Sequence, residues 1–317
     1  MNDVRDPGRP ATASGFAALG FEQELAELRA RVARWIDASN SEIKPALEWH
    51  FLSGAKYFRP LTAFACYRSV HGASPLPEGI MSAVTALELF HNMSLVVDDL
   101  VDKSPLRRGR PTLHAQFGEL NALMTGGYIV AEVYRMLGDD TEGIALVSEL
   151  MQRLAVAECL QWRLRRQQLG VEDWRRIAAE DTGSMFEICA CLGDRSSRLR
   201  RFGGLLGILY HGCDDVGDVR GAAALGGGGT EDLRDGILTL PAALATRDEA
   251  VAALFCSAEA SKTEQAIVWD AMMACLDEAE AYLDGIAGEA RLEARLFAPM
   301  PDPLLALVDE TRQLSGG

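Results

Sequence analysis

Lysine is scarce in this chain. Its 317 residues contain only Lys44, Lys56, Lys103 and Lys262, so the 31 Lys and Arg are almost all arginine, set against 46 acidic residues for a formal charge of −15. Neutralising a nucleic-acid backbone needs a basic face, so a general nucleic-acid binder is excluded, whereas a local basic pocket for a small phosphorylated ligand is not. Paired cysteine motifs are missing too. The seven cysteines (66, 159, 189, 191, 213, 256 and 275) form no Cys-x-x-Cys and are odd in number. A disulfide framework or zinc site is therefore not expected, and a reducing cytoplasm is the expected location. No run of 18 residues lacks a charge, which argues against a transmembrane segment. Residues 1–15 carry Asp3, Arg5, Asp6 and Arg9 with no apolar core, unlike a secretory signal, and 1–18 are expected to be flexible. Alternating β-branched or aromatic runs bounded by turn residues are also scarce, so strands are not expected.

What remains is rich in Ala, Leu, Arg and Glu, with apolar residues recurring every three or four positions. This periodicity predicts helices over 22–43, 80–101, 121–137, 144–166, 171–192, 199–219, 242–257, 262–287 and 303–314. The first reads as an exposed amphipathic helix. The second is nearly all apolar, interrupted mainly by Glu88, His91, Asn92 and an Asp pair, and should be mostly buried. Loops are expected at 71–79 and at 221–236, the latter with four consecutive glycines at 226–229 and read as mobile. The length admits two domains at roughly 150 residues each. The pattern favours one all-α helical bundle over 1–317.

Two acidic clusters share one spacing. Asp98, Asp99 and Asp102 stand at i, i+1 and i+4, and Asp214, Asp215 and Asp218 repeat that arrangement 116 residues later. On a helix, i and i+4 share a face, so each cluster can turn two carboxylates toward one point. Carboxylates in apolar sequence are costly without a cation or partner. Hard oxygen donors at open geometry suit magnesium, which keeps waters and is completed by substrate phosphate oxygens. The plainer alternative is two solvated helix ends. After the first cluster, Pro105 and Pro111 bracket a loop carrying Arg107, Arg108 and Arg110. Arginine captures phosphate bidentately, although these arginines could serve only to neutralise the neighbouring Asp side chains. Upstream, Gly54-Ala-Lys56-Tyr-Phe-Arg59-Pro60 supplies two more cations.

Taken in order, these segments resemble the trans-isoprenyl (polyprenyl) diphosphate synthase family. The pattern is GxKxxRP, His91 seven residues before Asp98, RRGxPxxH, a Glu-x-x-Gln helix, the second Asp cluster and DLRxGxxTLP, spanning about 54–241. The resemblance implies an all-α helical bundle of the isoprenoid synthase type, commonly a homodimer. It also implies a magnesium-dependent prenyltransferase that condenses isopentenyl diphosphate with an allylic prenyl diphosphate. Carried over residue by residue, Asp98 and Asp102, with Asp99 beside them, look like ligands of two Mg2+ ions. Asp214 looks like the ligand of a third, with Asp215 and Asp218 supporting it, and Mn2+ is an alternative ion. Lys56, Arg59, His91 and Arg108 resemble the residues holding isopentenyl diphosphate, and Arg107 the one gripping the allylic diphosphate. Thr182 and Gln161 match polar residues facing the substrate and metal.

The chain also departs from the family pattern. The family's lysine before Thr182 is Asp181 here, its lysine after Gly236 is Ile237, and 219–236 contains no lysine. The Phe-Gln pair before the second cluster is Tyr210-His211. Each lost cation removes a charge-assisted contact worth about 1.5–3 kcal/mol. Three readings stay open: an ordinary synthase with arginine substituting, an altered prenyltransferase or class I terpene cyclase, and a non-catalytic partner subunit. In this family the growing tail runs down the helix carrying the first cluster. Ser94 is small, Met93 is slim and Phe90 could form a floor, so fifteen to twenty carbons is the expected product length. His50, His71, His114 and the tryptophans, including Trp162 and Trp174, read as packing or surface groups. Arg195, Arg198, Arg200 and Arg201 read as a solvated helix start, with a membrane-surface role as the alternative.

Overall fold

A computed structural model describes residues 19–51, 57–107, 109–221 and 229–316. Lys56 and Arg108 lie outside the described residues, as do 1–18 and most of the glycine-rich segment. The chain divides into two compact units, one holding the chain up to Leu61 with Thr85–Met136, the other Thr62–Val84 with the chain from Leu137 onward.

The helices are α1 (Glu22–Ala38), α2 (Lys44–Phe51), α3 (Phe58–His71), α4 (Glu78–Val101), α5 (Leu113–Phe117), α6 (Glu119–Leu137), α7 (Thr141–Leu164) and α8 (Val171–Ala178). Then follow α9 (Ser184–Asp194), α10 (Arg200–Arg220), α11 (Gly229–Asp235), α12 (Leu240–Ala245), α13 (Glu249–Cys256), α14 (Lys262–Ala274), α15 (Leu276–Phe297) and α16 (Asp302–Arg312). The all-α expectation holds. Among the described residues the only strands are the two-residue pair β1 (Leu106–Arg107) and β2 (Arg110–Pro111).

Several predicted boundaries shift, each for a local reason. The 171–192 helix is interrupted by a π-helical turn, Ala179–Gly183. The 242–257 helix breaks where Asp248 caps α13 by accepting from the Ala250 and Val251 amides, which offers the chain a fresh N-terminus. Within the expected loop 221–236, residues 229–235 are helical. Helix α1 is half sunk rather than exposed, burying Leu28, Val32, Trp35 and Ile36. Helix α4 is long and apolar enough to cross a membrane, yet 72% of its most apolar window is buried inside the protein, as in a core helix.

In the first unit, Ala46, Val96, Leu113 and Ala122 bring α2, α4, α5 and α6 together, with Trp49, Leu100 and Phe117 packed around them. Trp49 also pins the hairpin: its indole N–H donates to the Pro111 carbonyl at 3.0 Å, and the Arg110 guanidinium lies 4.5 Å from its ring centre. In the second unit α10 is the central helix, with Phe202, Leu206, Leu209, Cys213 and Val216 fully buried or nearly so. It packs on α9, α15 and the π turn. The approach to the turn requires glycine at 207, where a Cβ would sit 2.7 Å from the Gly183 Cα and 2.8 Å from the Thr182 carbonyl oxygen.

Candidate active site

Both Asp clusters lie at helix C-termini. The first closes α4: Asp102 stands just past the last helical residue, and its amide still donates to the Asp98 carbonyl at 2.9 Å, which keeps the i, i+4 pair on one face. Asp98 is half-buried, Asp99 buried and Asp102 exposed. The second cluster lies near the end of α10, where Asp218 is two residues from Arg220. A helix C-terminus carries partial negative charge from its outward carbonyls, so carboxylates there are disfavoured unless a cation compensates them.

The two clusters are compensated differently. In the first, the hairpin turns Arg107 back so that its Nε donates to Asp99 Oδ1 at 2.7 Å. Burial raises the Asp99 pKa, and Arg107 opposes part of that rise. The plainer reading of the arginine loop, neutralisation of a neighbouring Asp, is thus realised for Arg107, whose terminal nitrogens extend beyond that bond. His91 is half-buried on α4, two turns before Asp98, and Arg59 is half-buried in the first turn of α3.

A cavity of about 280 Å3 opens in the same unit, lined in part by Arg29, His50, Tyr57, Glu88, Asn92 and Arg107. His50 Nε2 lies 2.9 Å from the Asn92 carbonyl, and Asn92 donates to the buried Glu88. Tyr57, between Lys56 and Arg59 in sequence, has φ +57°, a left-handed conformation costly for an aromatic residue, and Arg29 lies 4.7 Å from its ring centre.

The second cluster is crowded with like charge. Asp215 Oδ2 accepts from the Trp174 indole N–H at 2.8 Å and from the Leu240 amide at 2.8 Å. Burial pushes its pKa to about 6, against the pull of His211 and these two donors. Asp232 of α11 is pushed to about 8, first by burial and then by Asp215, Asp218 and Asp214. His211 lies 3.9 Å from Asp215. Burial pulls its imidazole down, but Asp215, Asp181, Asp214 and Asp232 outweigh that, and its pKa rises.

The π turn joins this group. Thr182 Oγ1 donates to Asp181 at 3.1 Å and lies 3.0 Å from His211 Nδ1. Arg153 of α7 braces the turn, with Nε at 2.9 Å from Glu180 and a terminal nitrogen at 2.6 Å from Glu187. Such turns within α-helices recur at functional sites. Gln161 is half-buried on α7, and no hydrogen bond among the described residues ties it to the cluster. Ile237 follows Gly236 (φ +69°), and its amide donates to the Asp232 carbonyl.

Sequence reasoning missed three participants. Trp174 was expected only to pack; it is fully buried but also holds Asp215. Asp232 stood inside a recognised motif without a role, and Arg153 gave no signal. Arg195 and Arg200 are not merely solvated: Arg195 bonds Asp140 at 2.7 Å, and Arg200 pairs with Glu149 and Glu187.

The donor set fits a hard divalent cation. It consists of carboxylate oxygens near helix C-termini, and two carboxyls of the second group, Asp215 and Asp232, are raised first by burial and then by neighbouring carboxylates. Among the described residues, no three of these side chains form a ready cage.

An all-α protein with this helix order has the isoprenoid synthase fold. The heptaprenyl diphosphate synthase of Staphylococcus aureus superposes with a TM-score of 0.83 at 21% identity, covering 94% of this chain and 98% of that one. A geranylgeranyl pyrophosphate synthase from Corynebacterium glutamicum, solved with isoprenyl diphosphate and magnesium, gives 0.76 at 20% identity, covering 93% and 98%. In sequence, the nonaprenyl diphosphate synthase of Mycobacterium tuberculosis is 28% identical over 330 aligned residues, 95% of this chain and 98% of the relative. The model of the polyprenyl synthetase family matches residues 40–274. The chain belongs to the polyprenyl synthetase family and is by that membership a prenyltransferase.

Proposed function

We propose that this enzyme condenses isopentenyl diphosphate with an allylic prenyl diphosphate, with magnesium, to give a trans-prenyl diphosphate of fifteen to twenty carbons. The observation that carries the reading is the pair of Asp-Asp-x-x-Asp clusters, each near the C-terminus of an apolar helix, inside the span matched by the family. Asp98, Asp99 and Asp102 would hold two magnesium ions, and Asp214, supported by Asp215 and Asp218, a third. Magnesium, when bound, draws negative charge off the departing diphosphate. Arg107, anchored to Asp99 through Nε, keeps its terminal nitrogens for the allylic diphosphate. Arg59 and His91, with Lys56 and Arg108, would hold the isopentenyl diphosphate. The allylic carbon–oxygen bond breaks with its electron pair leaving on the diphosphate. The isopentenyl alkene attacks the allylic carbon, and the departing diphosphate takes the proton that is lost. Apolar walls exclude the water that would quench the cation.

A second reading, cyclisation of the allylic diphosphate alone, is favoured by Asp181 and Ile237 standing where the family has lysines. One experiment separates the two. Purified enzyme with magnesium is given dimethylallyl, geranyl or farnesyl diphosphate, each with and without isopentenyl diphosphate. Longer linear diphosphates that require isopentenyl diphosphate support condensation; hydrocarbons from the primer alone support cyclisation. No turnover with any primer overturns both.

Product length rests on α4, where Phe90 and Met93 are buried and Ser94 is half-buried. Phe90→Ala should lengthen the product if Phe90 is the floor, and an unchanged distribution removes it from that role. The nonaprenyl relative makes a much longer chain the competing outcome.

A homodimer is supported by α6, which exposes Leu120, Leu123 and Met124 at i, i+3 and i+4. A cytoplasmic location is supported by seven cysteines that all remain thiols.

A further inference from the structure

We propose that the C-terminal end of α15 docks the enzyme on a bilayer bearing anionic headgroups. Four large apolar side chains crowd this end: Leu292, Leu296, Phe297 and Met300 are 56, 64, 46 and 41% exposed. They are not spare residues of a helix lacking a core. The opposite side of α15 buries Leu283, Ile286, Ala287, Ala290 and Ala294, so the helix is fully seated while its outer end stays greasy. Met300 is held in place, since its amide donates to the Ser69 carbonyl at 3.0 Å and its side chain lies against Gly72 at the end of α3. Leu292 and Leu296 share a face at i, i+4, and Phe297 follows directly, so these three stand together on the outer end of the helix, with Met300 just beyond its last residue. Patches of this kind on soluble proteins mark interaction sites.

Charge selects the occupant. The chain as a whole carries −15, yet arginines rim this patch. Arg295 is exposed on the same arc of α15, between Leu292 and Leu296. Arg201, 70% exposed, reaches α15 at Glu293 with a 3.1 Å ion pair, which brings the exposed Arg198, three residues earlier, to the same end of this unit. Of the acidic groups on this stretch, Glu293 is engaged by Arg201, and Asp302 lies beyond Met300. Apolar side chains flanked by arginines that can snorkel toward phosphate are the make-up of a surface lying in the headgroup layer. Resting on the proposed function, the product is itself a lipid with a diphosphate head, and a membrane is where such a molecule partitions. None of the residues invoked belongs to the Asp clusters or to the cavity.

The test is vesicle flotation of the full chain, which does not depend on turnover. The probes are phosphatidylcholine vesicles and mixed phosphatidylcholine–phosphatidylglycerol vesicles at low and high salt. The protein is expected to float with the mixed vesicles and to be released in part by salt. Leu296→Glu should weaken that binding about tenfold or more, because it removes an apolar side chain that would enter the bilayer and adds a charge of the same sign as the headgroups. Arg198→Gln combined with Arg295→Gln should weaken binding to the mixed vesicles about fivefold per arginine and leave any binding to neutral vesicles unchanged. Both variants should keep the thermal midpoint and the turnover of the parent. Three results would overturn the proposal: a parent protein that floats with neither vesicle, a Leu296→Glu variant that floats as well as the parent, or a patch that drives concentration-dependent self-association abolished by Leu296→Glu. A proposed function that fails while flotation succeeds would leave the docking surface standing.

Discussion

The two Asp clusters have the same spacing and the same position near a helix C-terminus, yet they manage their charge in opposite ways. The first is balanced from outside its helix: a short hairpin delivers Arg107 to the one buried carboxylate, Asp99, while Asp98 is half-buried and Asp102 exposed. The second is crowded from several sides. Trp174 and the start of α12 hold Asp215, α11 adds Asp232, and the π turn adds Asp181 and Thr182 around His211. A motif therefore specifies which groups are presented, whereas its neighbours decide whether a carboxylate is paired with a cation or pushed toward protonation by burial. The first cluster is organised by an arginine already in place, whereas burial, with neighbouring carboxylates behind it, holds Asp215 and Asp232 of the second toward their protonated forms, a cost that a divalent cation would relieve.

The largest effect should come from removing a carboxylate from either cluster. Asp98→Asn and Asp214→Asn should each lower turnover by about three orders of magnitude, the scale of losing charge stabilisation in a transition state. The two should differ without metal: Asp214→Asn relieves repulsion, so its metal-free thermal midpoint should equal or exceed the parent's. A clear fall would break the comparison.

Next in size is Arg107→Ala, which strands the buried Asp99. It should cost about 1–3 kcal/mol of stability, at the modest end for a broken buried pair because Arg107 is 33% exposed. Pairing it with Asp99→Asn should recover part of the loss in a double-mutant cycle, and strict additivity would show that the pair does not organise the cluster.

Trp174→Phe should be milder. The ring stays packed while Asp215 loses one of two donors, worth about 1–2 kcal/mol, and the apparent affinity for magnesium should change with it. An unchanged magnesium dependence would make Trp174 a packing residue only.

The last effect is read against pH rather than in turnover or in one contact. The folded pKa of Asp232, about 8, lies above the ordinary aspartate value of 3.8. The folded chain keeps a proton that the unfolded chain has released, so this group's contribution to stability is lost as pH rises from about 4 to about 8. Asp232→Asn should flatten the metal-free stability curve over that window, and added magnesium should flatten it in the parent. Parallel curves for parent and variant would mean that the crowding is absent.

Much of this site was legible before any coordinates. Cluster spacing is a local property: i and i+4 share a face on any α-helix, so Asp98 with Asp102 and Asp214 with Asp218 could be read directly. The apolar run around 80–101 identified the core helix in the same way, because burial on all sides leaves no room for polar alternation. Local reasoning failed where the chain returned from a distance. Trp174 meets Asp215 across 41 positions and Arg153 meets Glu187 across 34, and no periodicity signals either contact. The π turn was invisible because it inserts a residue into a helix without a proline or a glycine pair to announce it. The strand pair at Leu106–Pro111 was hidden because it is two residues long and borrows its order from Trp49.

By itself, then, the sequence determined an all-α chain with two matched carboxylate sets and an arginine loop beside the first, since helix periodicity and short spacings are written along the backbone. Only the tertiary structure decided that Arg107 is spent in part on Asp99, that Asp215 is locked by an indole and a helix start, and that Asp232 joins the second cluster. The reason is physical: the charge state and orientation of a carboxylate depend on the burial and donors within a few ångströms of it, and those neighbours come from distant parts of the chain.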